Sequence, residues 1–356
     1  MLGLESREVE RKVLAILRVL SNSSQAVGSL VIAQRLKDEG ISLTHRAVRY
    51  HLKLLDERGL THRVNRRQGR IITPQGLEEL KSALVSDKVG VVINRIELLT
   101  YRTTFDPEKR EGDVPVNISL FPVRKFKAAL EAMKTAFRAG LAVSDLVAVA
   151  HEGERLGGLL VPKDRVAVAS VCSIVINGVF LKAGIPVDSR FGGVLQLHSH
   201  KPRRFVELIE YSGTSLDPSE MFIASRMTNV TDAARRGEGK ILANFREIVA
   251  PSKPVAERVI GKLKEAGIGG VIMLGDVSQP VCETPVGLNK IGVILAGGLN
   301  PVAAAVEAGI EITNRAMSDV LDYRQLRSFW EIEKEIPSQQ YQKASSRVLV
   351  YPDKTA

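Results

Sequence analysis

Cysteine, histidine and tryptophan are scarce in this chain, and their scarcity excludes several classes of protein. Among 356 residues there are two cysteines, six histidines and one tryptophan. Two cysteines cannot form a disulfide framework, and a structural metal site usually needs four ligands. We therefore predict no metal site, and we expect Cys172 and Cys282 to be small buried hydrophobic residues.

Long apolar segments are lacking as well. No uninterrupted apolar run reaches the ~18 residues of a membrane helix. The first residues, MLGLESREVERK, are charged where a signal peptide is apolar. With 44% hydrophobic and 25% charged residues, the composition is that of a soluble globular protein. We expect a cytoplasmic protein with no membrane partner and with room for two or three domains.

Residue patterns typical of catalysis are also missing. The sequence contains no GxxxxGK[ST] phosphate-binding loop. His198 and His200 would share one face of a strand, but no further metal ligand lies nearby, so a solvated hairpin is favoured. Asp106 and Asp217 each precede a proline and are predicted to form turns rather than a catalytic pair. No catalytic residue and no cofactor is predicted.

The net charge of +10 is concentrated near the N-terminus. Residues 1–85 contain 15 Lys or Arg and 9 Asp or Glu, a net charge of +6. Apolar spacing there predicts helix, helix, helix, basic hairpin, helix, which is a winged helix-turn-helix. The predicted elements are a helix over 5–20, a helix capped by Ser29 with Leu30, Ala33 and Leu36 inward, a helix capped by Ser42, strands over 60–64 and 70–73, and a helix from Pro74.

The exposed face of the third helix and the hairpin carry the candidate DNA contacts. The helix would enter the major groove of double-stranded DNA, and the hairpin arginines would contact phosphates or the minor groove. A solvated charged face is the alternative, and a winged helix can also bind protein or RNA. The predicted DNA-binding residues are Thr44, His45, Arg46, Arg49, Tyr50, Lys53, Arg63, Arg66, Arg67 and Arg70.

An internal repeat organises the rest of the chain. An apolar strand, a turn of small residues and a helix occupy 166–187 and recur at 291–310, and both helices end in Ala-Gly-Ile. A second match, of Tyr101–Pro107 with Tyr211–Pro218, suggests that the duplication extends upstream. The predicted fold is an α/β (α+β) multidomain protein. Its predicted parts are a winged helix over 1–86, a regulatory domain over 88–325 with halves at about 88–190 and 205–312, and a C-terminal extension over 326–356.

Several further elements are predicted within the repeat. The alternation over Val114–Leu120 indicates a strand buried on one face. A chain break is expected at Phe191–Gly193, followed by a hairpin of 194–198 with 205–211. A long loop is expected between Val230 and the helix over Val255–Ala266, and a strand is expected near Val281–Val286.

The turns before the two repeated helices are the candidate effector site. Helix N-termini leave backbone N–H groups unpaired and carry a partial positive charge. Two of them, brought together by a duplication, would suit a small dicarboxylate, to which Lys182 and Arg190 could add charge. The alternative is that glycines and capping residues only form tight turns. The candidate residues are Cys172, Ser173, Asn177, Gly178, Gly297, Gly298 and Asn300, with Asn300 the expected cap of the second helix.

The sequence resembles the NrpR family of transcriptional regulators. The resemblance covers most of residues 90–310 through TTFDP (103–107), CSIVINGVFLKAGIPV (172–187), FGG (191–193), EYSGTSLDPSEMFI (210–223), ILANFRE (241–247) and GVILAGGLNPVAAAVEAGI (292–310). It implies a homodimeric repressor of nitrogen-assimilation genes whose operator binding is weakened by 2-oxoglutarate. Many members carry two regulatory domains, whereas this chain has room for one.

Three other functions remain open from the sequence. The first is an enzyme acting on a carboxylate metabolite, with the winged helix appended to it. The second is a thiol redox sensor through Cys172, which would require a lowered thiol pKa. The third is a module that binds only a protein partner.

Overall fold

Four helices and a two-stranded wing form the described N-terminal part of the computed structural model. Ile16, Leu36 and Leu52 lie in their common core, with side chains fully buried. This is a winged helix-turn-helix, as predicted. Its elements are α1 (Leu2–Ser21), α2 (Ser29–Asp38), α3 (His45–Glu57), β1 (Thr61–Asn65), β2 (Gly69–Ile72) and α4 (Pro74–Lys81).

The predicted cap of α2 is wrong. The helix begins at Ser29 itself, and the extended residue before it is Gly28, which makes no side-chain hydrogen bond. The predicted set of inward-facing residues in α2, which was Leu30, Ala33 and Leu36, is also wrong in part. Ile32 and Leu36 are buried, whereas Leu30 is 71% exposed.

The predicted cap of α3 is also wrong. Thr44, rather than Ser42, has the extended conformation of an N-cap, and its hydroxyl accepts a hydrogen bond from the N–H of Ala47 at 3.2 Å. Threonine satisfies the orphan N–H as serine would, so residue type alone could not choose between the two positions. Helix α4 begins at Pro74 as predicted, and the hydroxyl of Thr73 before it accepts from the N–H of Gly76 at 3.0 Å.

The structure describes residues 2–23, 25–65, 69–81 and 89–335. The chain divides into two compact units, Met1–Val91 and Val92–Ala356. The second unit begins with α5 (Val91–Arg102). Residues 336–356 of the predicted C-terminal extension lie outside the described residues.

Two copies of one strand and helix pattern build the second unit, which confirms the predicted duplication. Each copy runs strand, short 3-10 turn, helix, two sheet strands, helix, strand. The first copy has β3 (Asp113–Pro122), α6 (Phe126–Arg138), β4 (Leu146–Ala150), β7 (Arg165–Val171), α7 (Ile174–Lys182) and β8 (Val187–His198). The second has β10 (Gly239–Val249), α10 (Lys253–Glu265), β11 (Val271–Val277), β12 (Lys290–Ala296), α11 (Asn300–Glu307) and β13 (Thr313–Asp322).

The two copies exchange their last strands. β13 pairs antiparallel with β3 of the first copy, and β8 pairs antiparallel with β10 of the second. With β9 (Lys201–Glu210) and β14 (Arg327–Ser328) at the sheet edges, the strand orders are β13-β3-β7-β4-β14 and β11-β12-β10-β8-β9. Each sheet therefore contains strands from both copies, and this pairing holds the two halves together. In the chain, α7 lies between β7 and the exchanged strand β8, and α11 lies between β12 and the exchanged strand β13. The remaining elements are β5 (Arg155–Leu156), β6 (Leu159–Leu160), α8 (Pro218–Ala224), α9 (Val230–Arg236) and α12 (Phe329–Glu335).

Four predictions about strands are wrong. Phe191–Gly193 lies within β8 and forms no break. The expected long loop after Val230 holds α9 and β10, the strand that bridges the two copies. The interior of β3 is buried on both faces rather than one. Val281–Val286 forms only an isolated bridge between Val281 and Thr284.

The upstream match of the sequence repeat is not part of the structural duplication. Pro122 and Val249 end equivalent strands and lie 127 positions apart, whereas Tyr101 and Tyr211 lie 110 apart. Tyr101 stands in a helix and is 82% exposed, whereas Tyr211 follows a strand and is buried. The short match therefore lies outside the repeated pattern of strands and helices.

The predicted boundary at 325 cuts through the regulatory unit. β14 pairs with β4, and Phe329 is buried with its ring 4.4 Å from that of Phe137. The indole N–H of Trp330 donates to Asp145 at 3.0 Å. Residues 326–335 are therefore part of this sheet and core rather than of an extension.

Gly178 in α7 faces the side chain of Thr103. A Cβ atom at this position would lie 2.3 Å from the Thr103 Cβ. We expect Gly178→Ala to lower the free energy of unfolding by about 1–3 kcal/mol through overpacking. Urea unfolding followed by the fluorescence of Trp330, the single tryptophan, measures this change.

Gly261→Ala is the matched control, since Gly261 is also helical and has no atom within 4 Å of the new Cβ. Alanine there should leave stability unchanged or raise it slightly, because glycine weakens a helix interior. Equal midpoints for the two variants would contradict the close packing of α7 on Thr103.

Candidate functional site

The exposed face of α3 presents the predicted DNA contacts together. Val48, Leu52 and Leu55 are fully buried and fix the inner face of the helix. The opposite face carries Thr44, His45, Arg46, Arg49, Tyr50 and Lys53, all exposed. Among these, Lys53 approaches Glu57 at 3.7 Å, an exposed pair of little energetic weight. The arrangement fits the predicted entry of this helix into a DNA groove.

The wing arginines do not share one role. Arg63 is exposed on β1, while Arg66 and Arg67 lie outside the described residues. Arg70 is engaged inside the fold, with its Nε 2.7 Å from Asp56, whose other oxygen accepts from the hydroxyl of Thr61 at 2.6 Å. The Arg70 side chain therefore forms an ion pair within the fold, and its predicted DNA contact stays a prediction.

Asp56 therefore anchors the wing to α3. We expect Asp56→Ala to destabilise the wing by about 1–3 kcal/mol, since it leaves the guanidinium of Arg70 without its acceptor in a half-buried position. Hydrogen exchange of the Val27 and Arg70 amides measures this loss, because two backbone hydrogen bonds, of 2.9 and 3.1 Å, join these residues.

Glu57→Ala is the control for this prediction. It removes the exposed ion pair with Lys53 from the same helix and should change exchange by at most about 0.5 kcal/mol. Unchanged protection in Asp56→Ala would contradict the anchoring role.

In the second unit, the two helix N-termini meet as the repeat predicted. The hydroxyl of Ser170, at the end of β7, donates to the carbonyl oxygen of Gly298 at 3.1 Å. A Cβ on Gly298 would lie 2.5 Å from the carbonyl oxygen of Val171. The turn before α11 therefore lies against the turn before α7, and no side chain fits between them.

A cavity of about 30 Å³ lies beside these turns. Of the predicted effector residues, Cys172, Ser173 and Gly298 line it. The cavity has room for about one water molecule. Residues of α5, α8, β3, β10 and β13 complete its wall, so both halves of the duplication contribute to it.

Arg246 is the one lysine or arginine among the described residues that lines this cavity. It lies in β10, is only 2% exposed, and has no carboxylate within ion-pair distance among the described residues. Its Nε donates to Asn177 at 3.3 Å, and its guanidinium carbon lies 5.1 Å from the ring centroid of Tyr211. A buried cation without a counter-ion is costly, so this position favours an anionic ligand.

Asn117 and Asn244 occupy equivalent positions in β3 and β10, and both line the cavity. The amide of Asn244 donates to the hydroxyl of Ser173 at 3.2 Å, and its oxygen accepts from the hydroxyl of Tyr211. The oxygen of Asn117 accepts from the backbone N–H of Met317 at 3.0 Å. The duplicated fold thus supplies two amide groups to one cavity.

Burial shifts the pKa of four acidic groups at or beside this site upward, toward the neutral form. Burial raises the pKa of the Cys172 thiol to about 11 and that of Tyr211 to about 12. A redox switch would require a lowered thiol pKa at Cys172, so the structure argues against that alternative. Burial also raises the pKa of Asp217, which lines the cavity, and that of Glu220 beside it to about 7.

The other four predicted effector residues do not line the cavity. Asn177 positions Arg246 and donates to Ser189 at 3.0 Å, and Gly178 packs on Thr103. Gly297 donates its N–H to the carbonyl oxygen of Leu242 at 2.8 Å.

Asn300 is also structural, and its predicted role as a cap is wrong. It is fully buried as the first residue of α11, accepts from the N–H of Leu242 at 2.8 Å and donates to the carbonyl oxygen of Leu141 at 2.8 Å. Lys182 and Arg190 are exposed and do not line the cavity.

Sequence reasoning missed Arg246, Asn117 and Asn244, which stand in apolar strands. A usable signal was present, because a polar residue inside a buried strand needs a partner or a function. The described residues contain no group of three or more His, Cys, Asp or Glu side chains able to hold a metal ion, and none of their helices is long and apolar enough to cross a membrane.

A winged helix-turn-helix followed in the chain by a duplicated unit with a buried arginine at its cavity fits a ligand-responsive transcription regulator. The family model described as NrpR regulatory domains NRD1 and 2 matches residues 89–328, and that of the Ribonuclease R winged-helix domain matches residues 14–80. The chain belongs to the NrpR family. It is a nitrogen-related transcriptional regulator with a DNA-binding winged helix, and not an enzyme.

Similar proteins come from methanogenic archaea. Global nitrogen regulator NrpRI of Methanosarcina mazei is 40% identical over 320 residues, which are 90% of this chain and 98% of that protein. Global nitrogen regulator NrpR of Methanococcus maripaludis is 33% identical over 86% of this chain, and the match spans 53% of that longer protein. The crystal structure of a nitrogen repressor-like protein from Methanococcus jannaschii has a TM-score of 0.57 and 26% identity, and covers 68% of this chain and 98% of its own.

Proposed function

We propose that this chain is a homodimeric repressor of nitrogen-assimilation genes and that 2-oxoglutarate, bound beside Arg246, weakens its operator binding. The observation that carries the proposal is the buried guanidinium next to two helix N-termini. Guanidinium binds a carboxylate through parallel hydrogen bonds, and the helix N-termini stabilise negative charge. A dicarboxylate supplies one carboxylate for the guanidinium and one for the helix N-termini.

The cavity must open for this ligand. Its volume of about 30 Å³ holds about one water molecule, and a dicarboxylate needs several times that space. The observed arrangement is therefore assigned to the DNA-binding, effector-free state. An effector shifts the balance only if it binds the other arrangement better, and a tenfold loss of DNA affinity requires about 1.4 kcal/mol of coupling.

An amino acid is the competing ligand, because Asp217 also lines the cavity and could pair with an ammonium group. This carboxylate is already occupied as the cap of α8, where it accepts from the N–H of Glu220 at 3.0 Å. Burial also raises its pKa, which disfavours the charged form that an ammonium group would need. These two facts favour the dicarboxylate.

Calorimetric titration of the full chain with 2-oxoglutarate tests this proposal. Succinate, which lacks the oxo group, and glutamate, which adds an ammonium group, are the controls. We expect saturable binding of 2-oxoglutarate and much weaker binding of glutamate. Absence of 2-oxoglutarate binding by protein that binds DNA would overturn the effector assignment, and preference for glutamate would identify an amino acid sensor.

The domain limits and the dimer form part of the same proposal. The DNA-binding domain would comprise residues 1–86 and the regulatory domain would begin at 88. A winged helix that reads a palindromic operator works as a dimer, because operator symmetry mirrors protein symmetry. Sedimentation equilibrium should give twice the chain mass of 38.9 kDa, and a monomer at micromolar concentration would contradict it.

A further inference from the structure

One wall of the cavity is a short irregular segment of β13. The register of β13 against β3 shifts between Arg315 and Asp319, so residues 316–318 leave the regular ladder. Met317 has a φ of 49°, a conformation that L residues rarely adopt. Ala316 and Met317 line the cavity, and Ala316–Ser318 is called the closing segment below.

Three different elements hold the closing segment through hydrogen bonds. Asn117 of β3 accepts from the N–H of Met317 at 3.0 Å, and Glu220 of α8 accepts from the N–H of Ala316. Arg95 of α5 donates its Nε to the carbonyl oxygen of Met317 at 2.6 Å and its Nη2 to that of Ser318 at 3.1 Å. The segment is fixed by side chains rather than by strand pairing, so its bonds can be exchanged without separating the sheet.

Helix α5 contacts both the closing segment and the cavity. Ile96 lines the cavity, and Val92, Ile96 and Leu99 pack in one cluster with Cys172, Tyr211 and Met317. Among the described residues, α5 is also the first element that follows the winged helix along the chain.

We propose that α5 couples the cavity to the winged helix through Arg95 and the closing segment. This inference rests on the proposed function and names how that site is regulated. A ligand that takes the amide of Asn117 and the space of Met317 displaces the segment. Arg95 then loses both carbonyl acceptors, and α5 is released from the position that favours DNA binding.

Arg95→Gln tests this coupling, and Arg102→Gln is the matched control. Both replace an arginine of α5 that bonds to β13, but Arg102 reaches the Asp319 side chain at 3.2 Å, outside the closing segment. For each variant, 2-oxoglutarate binding is measured by calorimetry. DNA affinity is measured by fluorescence anisotropy, with and without 2-oxoglutarate, on a duplex selected from random sequence by the wild-type chain.

We expect Arg95→Gln to bind 2-oxoglutarate. Addition of the ligand should change the DNA affinity of this variant by less than about twofold, whereas it should weaken that of the wild type and of Arg102→Gln by about tenfold. Retained coupling in Arg95→Gln, or equal loss in both variants, would overturn the proposal. A wild-type chain that does not bind 2-oxoglutarate would instead refute the proposed function.

Amide hydrogen exchange of the wild-type chain tests the proposal without any substitution, so the result does not depend on whether a variant folds. Addition of 2-oxoglutarate should speed exchange in peptides that cover the closing segment and α5. Peptides from α6 should not respond, because none of its residues lines the cavity. Unchanged exchange in the closing segment under saturating ligand would show that it does not move and would end the proposal.

Discussion

Arg246→Met is expected to lower the affinity for 2-oxoglutarate by about 100-fold, or about 2.7 kcal/mol. The guanidinium is the one positive side chain that the described residues supply to the cavity, and removing one partner of a buried charged contact leaves the ligand carboxylate desolvated. The same variant should then keep its DNA affinity when 2-oxoglutarate is added. Calorimetry and anisotropy on one preparation measure both effects.

The stability of this variant separates loss of a site from loss of the fold. Replacing a buried charge without a counter-ion by a hydrophobic side chain of similar volume is often neutral or stabilising. We therefore expect an unchanged or higher unfolding midpoint. Arg190→Met, which removes a half-exposed arginine of the neighbouring strand outside the cavity, should leave 2-oxoglutarate binding unchanged. Wild-type ligand affinity in Arg246→Met would show that the effector binds elsewhere.

The double substitution Arg46→Ala with Arg49→Ala is expected to weaken DNA binding by about 2–6 kcal/mol, or roughly 30-fold and more. Both side chains lie on the exposed face of α3, so their loss removes groove or phosphate contacts without disturbing the buried face. The salt dependence should fall by about one unit of slope for each lost phosphate contact. Anisotropy titrations at several salt concentrations measure both quantities.

Arg58→Ala is the control for this experiment. Arg58 follows α3 and pairs with Glu79 at 3.0 Å, away from the candidate contacts, so its loss should change DNA affinity by less than about twofold. The double variant should bind 2-oxoglutarate as wild type does. An unchanged DNA affinity would mean that α3 is not the DNA-reading helix.

The winged helix could be predicted because its signals are local. Val48, Leu52 and Leu55 have helical spacing, and all three are fully buried in α3. The caps were less certain, because serine and threonine are both competent and only backbone conformation decides between positions 42 and 44. The role of Arg70 was hidden for a different reason, since its partner Asp56 is fourteen positions away and pairs with it only once the wing has folded.

In the second unit, the duplication could be predicted from the two Ala-Gly-Ile endings, but the strand exchange could not. Which strands pair is decided by contacts far apart in sequence, as in β3 with β13, and no local pattern encodes it. The same limit applies to the site. The helix N-termini at the cavity could be predicted from the glycine and serine turns. The role of Arg246 could not, because it depends on the lack of a nearby carboxylate, which only the folded structure shows.

DNA binding by the full wild-type chain, measured by anisotropy with and without saturating 2-oxoglutarate, tests the central claim most directly. The account predicts that the ligand weakens binding by about tenfold, with coupling of about 1.4 kcal/mol, and that glutamate at the same concentration has little effect. Equal DNA affinity in the presence and absence of bound 2-oxoglutarate would contradict it.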